Sequence, residues 1–178
     1  MGKGRPRTFD ENEVLDITIR MFVRDGFEGV SIAALCKETG LSLQSLYNTF
    51  GDKAGLYERA LRRYGETASD PLIQSLLTTE DPIVALRTFV EGLEFFNELP
   101  DGGGCLFTQS LASAVGGGPG SGEIARSFAN RIRSALRKRA REAAEAGRLA
   151  GDADQIADLL LAASYGAAVV GYFSHLVM

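Results

Sequence analysis

The sequence predicts an all-α protein, with a small three-helix N-terminal module followed by a larger C-terminal helical bundle. Three observations predict it. No stretch shows the two-residue alternation of a half-buried strand, whereas apolar residues recur at helical spacing. The periodic segments are separated by Gly and Pro punctuation at Asp70-Pro71, Asp81-Pro82, Pro100 to Gly104 and Gly116 to Gly122. An apolar share of 45% across 178 residues is normal for a globular chain and far from disorder.

Each element follows in order. The first helix is expected from about Glu11 to Arg24, where Val14, Leu15, Ile19, Met21 and Phe22 form a broad inner face. A second runs from Ser31 to about Glu38, with Leu35 and Cys36 at its apolar positions. Gly40 supplies a turn and Leu41 plugs it. Ser42 stands at an N-cap, where its hydroxyl can accept from free backbone N–H groups. The third helix runs from Ser42 to about Phe50, carrying Leu46, Tyr47 and Phe50 in phase. The fourth starts near Asp52 and runs to about Thr67, with Leu56, Ala60 and Leu61.

Asp70-Pro71 and Asp81-Pro82 then interrupt the chain, because proline suits the first helical turn after an Asp cap. The fifth helix covers Pro82 to Leu99, with Leu86, Phe89, Val90, Leu93 and Phe96 on one side. A sixth begins near Cys105 after the glycine break. The five glycines and Pro119 between Gly116 and Gly122 read as a surface loop. A phosphate-binding loop needs a preceding strand and a following Lys-Ser/Thr, and neither is there. The seventh helix spans Glu123 to Ala146 and stops at Gly147, and the eighth spans Asp152 to Leu176. The expected division is an N-terminal module at 1–52 and a bundle at 53–178.

Composition narrows the class. The start, MGKGRPRTFDEN, has no apolar core of a signal peptide. The apolar run from Leu159 to Phe173 is shorter than the roughly 20 residues a bilayer needs, so no membrane association is expected. Cys36 and Cys105 lie in distant segments and give no metal spacing. A cytoplasmic protein without metal or cofactor is the expectation. A single His175 and the lack of clustered acids argue against an enzyme, and no catalytic residue is assigned. Net charge is −4, yet Lys3, Arg5 and Arg7 precede the first acid. Local basic groups, not the chain total, decide whether phosphates are gripped.

The segment from Ser31 to Lys53 carries the sharpest signal. Two short helices about a glycine turn are helix-turn-helix grammar, and the second helix of that motif enters a DNA major groove. Gln44 can pair with adenine N6 and N7, and Ser45 and Asn48 can donate or accept. Leu43 falls in phase with Leu46 and Phe50, so a core position is a fair alternative to a groove position.

The spacing of Ser31, Leu35, Gly40, Leu41, Ser42, Leu46, Tyr47, Phe50 and Lys53 resembles that of the TetR family of bacterial transcription regulators. The likeness extends from Arg5 to about Tyr64 and includes the Arg5-Pro6-Arg7 arm and Gly26-Phe27-Glu28-Gly29-Val30-Ser31. It implies a dimeric repressor that reads a palindromic operator in double-stranded DNA and is released by a small, often apolar inducer. By the same resemblance Leu43 faces the groove, Tyr47, Thr49 and Lys53 meet phosphates, and Ser31 and Ser42 belong to the DNA-binding set. Gln44, Thr49 and Ala34 depart from the family's usual residues. A flexible arm with Arg5 and Arg7 would enter the minor groove, as homeodomain arms do.

The rest of the chain is less specific. Phe89, Leu93, Phe96, Phe107, Leu111, Phe128, Tyr165 and Tyr172, with Cys105, are the expected lining of an inducer pocket. Ala163, Ala167 and Gly171, flanked by Ala162 and Gly166, form a small-residue stripe suited to close approach of a second copy or of the preceding helix. Lys138–Glu142 and Arg141–Glu145 are expected i, i+4 pairs. Cys105, at a helix start after three glycines, opens an alternative: a thiol or electrophile sensor or ligand-binding helical protein without operator function.

Overall fold

The computed structural model describes residues 9–93, 104–112, 118 and 120–177, with side chains as far as Gly171. Nine α-helices lie among the described residues, and no strand does. They are α1 (Glu11–Gly29), α2 (Ile32–Thr39), α3 (Leu43–Phe50), α4 (Lys53–Tyr64), α5 (Asp70–Thr78), α6 (Pro82–Glu91), α7 (Leu106–Ala112), α8 (Ser121–Glu145) and α9 (Ala153–Val177). The fold is all-α, with an N-terminal helix-turn-helix and a C-terminal helical domain.

Ser42 and Asp81, expected as caps, act so, as do Ser31 and Asp52, whereas Asp70 lies within a helix and caps none. Ser31 accepts from the Ala34 amide, Ser42 from Ser45, Asp52 from Gly55, and Asp81 from Ile83 and Val84. Gly40 ends α2 in the left-handed region at φ 70°, which a side chain would strain. Gly147 ends α8 the same way at φ 68°. There the Gly147 and Arg148 amides return to the Ala144 and Ala143 carbonyls, so the last turn of α8 is closed by its own backbone.

Two boundaries and the burial of one residue differ from expectation. Helix α1 continues past Arg24 and breaks at Gly26 (φ 70°, ψ 170°) before one more turn. The fourth helix does not stop before an Asp70 cap. It widens into a π-turn over Gly65–Ser69 and continues directly as α5, a helix the proline punctuation concealed. The reason is local: Pro71 has no N–H for the Thr67 carbonyl and its ring would press on it, so the turn opens by one residue. The Asp70 amide then bonds to Gly65 O. Val90, expected on the inner side of the fifth helix, is instead exposed on α6.

Two apolar clusters organise the packing. The first joins α1–α4, through Phe22, Leu35, Leu46, Leu56 and Leu61, to Leu106 and Phe107 of α7 and to Ile124 and Ala125 of α8. The second joins α5, α6, α8 and α9, through Leu76, Phe89, Leu136, Ala140 and Ala157. Burying each of these Leu or Phe side chains contributes about 1.5–3 kcal/mol. Ion pairs tie the second cluster's rim. Asp158 takes Arg133 and Arg137 at 2.9 Å each, and Arg141 pairs with Asp154 at 2.6 Å. The expected Lys138–Glu142 pair is present at 4.0 Å, whereas Arg141 reaches across to α9 rather than along α8 to Glu145.

Ala153–Gly171 is the one described stretch long and apolar enough, by composition, to cross a membrane. Its Asp154 and Asp158 are committed to arginines of α8, which suits a bundle helix.

Candidate nucleic-acid interface and ligand cavity

The first site is the outer face of α3. Leu46 and Phe50 face inward and fix the helix in the first cluster. Leu43 is 52% exposed and Tyr47 44% exposed, so Leu43 is not a core residue. Ser42, Gln44 and Asn48 are also exposed, and Ser45 and Thr49 are half-buried. The face carries no acidic side chain, so nothing on it repels a phosphate. Ser31 stands exposed at the start of α2.

The mount of that face is stiff. A Cβ at Gly55 would overlap the Phe50 carbonyl oxygen, so glycine is what lets α4 start hard against the end of α3. Arg59 of α4 donates to the Thr49 carbonyl at 3.2 Å, lies over the Phe50 ring at 4.9 Å and pairs with Glu11 of α1. Arg63 makes a two-bond pair with Asp16 at 3.0 Å each, which raises the guanidinium's proton affinity. Lys53 sits over the Phe27 ring at 4.3 Å in the first turn of α4, where Asp52 already holds the Gly55 amide. Sequence reading missed Arg59 and Arg63, because partners some 48 residues away leave no spacing signal. Arg5 and Arg7 lie outside the described residues.

The second site is a cavity of about 560 Å³ at the seam of the two clusters. This size is ordinary for a small-molecule site. Its walls come from α1, the π-turn, α5 to α9 and the chain before α7. Five of the expected residues line it: Phe89, Leu93, Cys105, Phe107 and Tyr165. Two do not. Leu111 faces outward, and Phe128 stacks on Phe107 at 4.6 Å and fills the space beside Gly65. Phe96 lies outside the described residues, as do the side chains of Tyr172 and His175. No spacing or composition signal marked Arg20, Tyr64, Ser69 and Thr108, which the π-turn and the α1–α7 contact bring to the wall.

Burial lifts the Tyr64 phenol well above its usual range, and the neighbouring Cys105 adds to the shift. Burial also raises Tyr165. Both therefore face the cavity as neutral hydroxyls.

Helix α7 links the cavity to α1 and α4, the helices on which α3 is mounted. Phe107 and Thr108 face the cavity. Gln109 Nε2 donates to the Val23 carbonyl of α1 at 2.9 Å, and Ser110 Oγ shares a buried hydrogen bond with the Tyr57 hydroxyl of α4 at 2.7 Å.

The small-residue stripe on α9 is placed differently from expectation. Gly171 is buried and Ala167 half-buried. The outward face is Leu159, Ala162, Ala163, Gly166, Val169 and Val170, with Leu159 68% and Val170 59% exposed. Among the described residues no cluster of His, Cys, Asp or Glu is arranged to hold a metal.

Comparison with known proteins fits this arrangement. The family described as bacterial regulatory proteins, tetR family, matches residues 14–60, from α1 through α4. The chain is 32% identical over 112 residues to the HTH-type transcriptional repressor BdcR of Escherichia coli K12, covering 62% of this chain and 56% of that protein. It is 28% identical over 131 residues to the repressor ComR of the same organism, covering 72% of this chain and 61% of that protein. The chain thus aligns with less than two thirds of either relative's length. A solved structure of a cysteine mutant of the TetR family regulator CifR, complexed with 26 bp double-strand operator DNA, superposes with a TM-score of 0.78 at 26% identity, over 96% of this chain and 91% of that one. Over residues 14–60 the chain matches the tetR family of bacterial regulatory proteins, and its described fold is that of a TetR family regulator.

Proposed function

We propose that this protein is a cytoplasmic, homodimeric transcriptional repressor that binds a palindromic operator and leaves it when a small molecule fills the bundle cavity. The observation that carries the reading is the outer face of α3, where Leu43, Gln44, Tyr47 and Asn48 project without an acid among them from a helix clamped by Arg59. Gln44 is positioned to read an adenine edge and Leu43 a thymine methyl. Tyr47, Thr49 and Lys53 hold phosphates, with Ser31, Ser42 and Ser45 at the edges of the contact. The arm with Arg5 and Arg7 follows the minor groove. Residues 1–52 form the reading module and 53–178 the sensing and pairing part.

Dimerisation through α8 and α9 follows from the uncovered apolar face of α9. Two copies set the recognition helices one DNA turn apart, about 34–36 Å. Release works through α7, whose cavity wall is bonded on its other side to α1 and α4. A ligand that prefers the state with these bonds rearranged shifts the spacing of the two α3 helices. A coupling of about 1–3 kcal/mol weakens operator affinity about 5–150-fold.

Gel-shift with DNA from upstream of the protein's own gene tests the reading. Tight binding with competition by that segment and not by random DNA supports it. Equal affinity for random DNA, or no binding by an intact dimer, contradicts it.

A second reading rests on Cys105, which lines the cavity beside the Tyr64 hydroxyl. In it the effector is an electrophile captured by that thiol. It requires faster alkylation of Cys105 than of Cys36, and loss of operator binding on alkylation. An inert Cys105 with unchanged DNA binding removes it.

A further inference from the structure

The cavity wall has a marked charge asymmetry. Among the described lining residues there is no carboxylate and one cation, Arg20 of α1. Arg20 makes no ion pair among the described residues, whereas Arg59 and Arg63, which face α1 from α4, are both paired to its acids. Two hydroxyls of the cavity wall are committed to backbone carbonyls. Thr67 donates to the Arg63 carbonyl at 2.9 Å and Ser164 to the Leu161 carbonyl at 2.7 Å.

Thr108 differs from both. It is 9% exposed, and its Oγ1 has no hydrogen-bond partner among the described residues. Helical threonines usually return the hydroxyl to the carbonyl four residues back, as Thr18, Thr39, Thr67 and Thr78 do here. A buried hydroxyl left unpaired is costly, so its place in a cavity wall is informative. Thr108 and Arg20 both line the cavity, on two helices that touch. Arg20 lies one turn before Val23, whose carbonyl is held by Gln109, the residue after Thr108.

We infer that the cavity binds an apolar monocarboxylate, with its carboxylate set toward Arg20 and the Thr108 hydroxyl and its aryl or alkyl body among Phe89, Leu93, Phe107 and Ile132. A cation is rejected, because it would be desolvated with no counter-ion among the described lining residues and would face Arg20. A neutral alcohol of the same body binds more weakly, keeping Thr108 and losing Arg20. This inference rests on the reading of the cavity as the effector site and names the chemistry of that effector.

Calorimetric titration of the full chain, without DNA, with phenylbutyrate, phenylbutanol and phenylbutylamine, and with octanoate and octylamine, tests it. The carboxylates bind, phenylbutanol binds more weakly, and the amines do not bind. Arg20→Gln weakens the carboxylates about fivefold, a small effect because the guanidinium is exposed, and leaves phenylbutanol unchanged. Thr108→Val weakens carboxylate and alcohol alike, about two- to tenfold, and raises the melting temperature of the ligand-free protein. Amines binding as tightly as the acids, no carboxylate binding below about 1 mM, or Arg20→Gln affecting acid and alcohol equally would each overturn the inference. Operator affinity measured with and without octanoate separates the two claims. Binding without release keeps the ligand class and removes its role as inducer.

Discussion

Gly65 opens the π-turn between α4 and α5, at the edge of the cavity, in ordinary right-handed helical geometry (φ −58°, ψ −48°). On backbone grounds alone, Gly65→Ala would stabilise the helix by about 1 kcal/mol. Packing opposes this. A Cβ there would overlap Phe128 Cζ and stand 2.5 Å from both Cε1 and Cε2. Carbon atoms rest at about 3.5–4.0 Å, so the ring must retreat by about 1.5 Å or more. It has little room, being stacked on Phe107 at 4.6 Å and 19° with the Arg131 guanidinium 5.0 Å from its centre. Overpacking of this kind costs about 1–3 kcal/mol, and disturbing the ring pair about 0.5–1.5 kcal/mol more.

The clash therefore wins, by about 1–3 kcal/mol net, which for a chain of this size lowers the melting temperature by about 2–4 °C per kcal/mol. Circular dichroism melts of the wild type, Gly65→Ala, Phe128→Leu and the double variant form a complete cycle. The second substitution should cost less in the Gly65→Ala background, with a coupling of about 1 kcal/mol. A higher melting temperature for Gly65→Ala, or strictly additive effects, would refute the packing argument.

Ser42→Ala removes the N-cap of α3, whose hydroxyl takes the Ser45 amide at 3.1 Å, and should cost about 1 kcal/mol in urea unfolding. Arg139→Met removes a buried guanidinium that donates to the Thr79 and Glu80 carbonyls between α5 and α6, at a cost of about 2 kcal/mol by the same measurement. The carboxyls of Asp81, Asp154 and Asp158 are each held below the usual carboxylate range, first by hydrogen bonds from Arg148, Arg141 and Arg137 respectively. A depressed folded pKa stabilises above the unfolded value of about 3.9 and is lost as pH falls through the folded value. Urea midpoints should therefore be flat near neutrality and fall below about pH 4, with a shallower fall in Asp158→Asn. A fall that begins near pH 6 would contradict these assignments.

What the sequence disclosed followed the range of the interactions. Caps are local, so Ser31, Ser42 and Asp81 and the stop at Gly147 are legible from a few neighbouring residues. The recognition helix is legible for the same reason, its residues lying within one short segment. Pro71 misled because its usual meaning is a helix start, whereas here a π-turn absorbs it and the helix continues. Arg141 misled because its local partner Glu145 lost to Asp154 on another helix. The cavity was half legible: Phe89, Leu93 and Tyr165 are apolar or aromatic and carry a signal of their own. Thr108 and Arg20 carry none until α7 and α1 are brought together. Phe128 looked like a wall residue and is a packing residue, a difference set by one glycine 63 positions earlier.

The central claim is that the outer face of α3 reads DNA. Fluorescence anisotropy with a labelled duplex from upstream of the gene tests it most directly, using wild type and Gln44→Ala and Tyr47→Ala variants whose helical content and dimer mass match the wild type. Loss of the Gln44 contact should cost about 1–3 kcal/mol of discrimination at one adenine in each half-site. Loss of Tyr47 should weaken binding to all sequences alike, as a phosphate contact does. Both losses are expected with the fold intact. Wild-type affinity in both variants would contradict it.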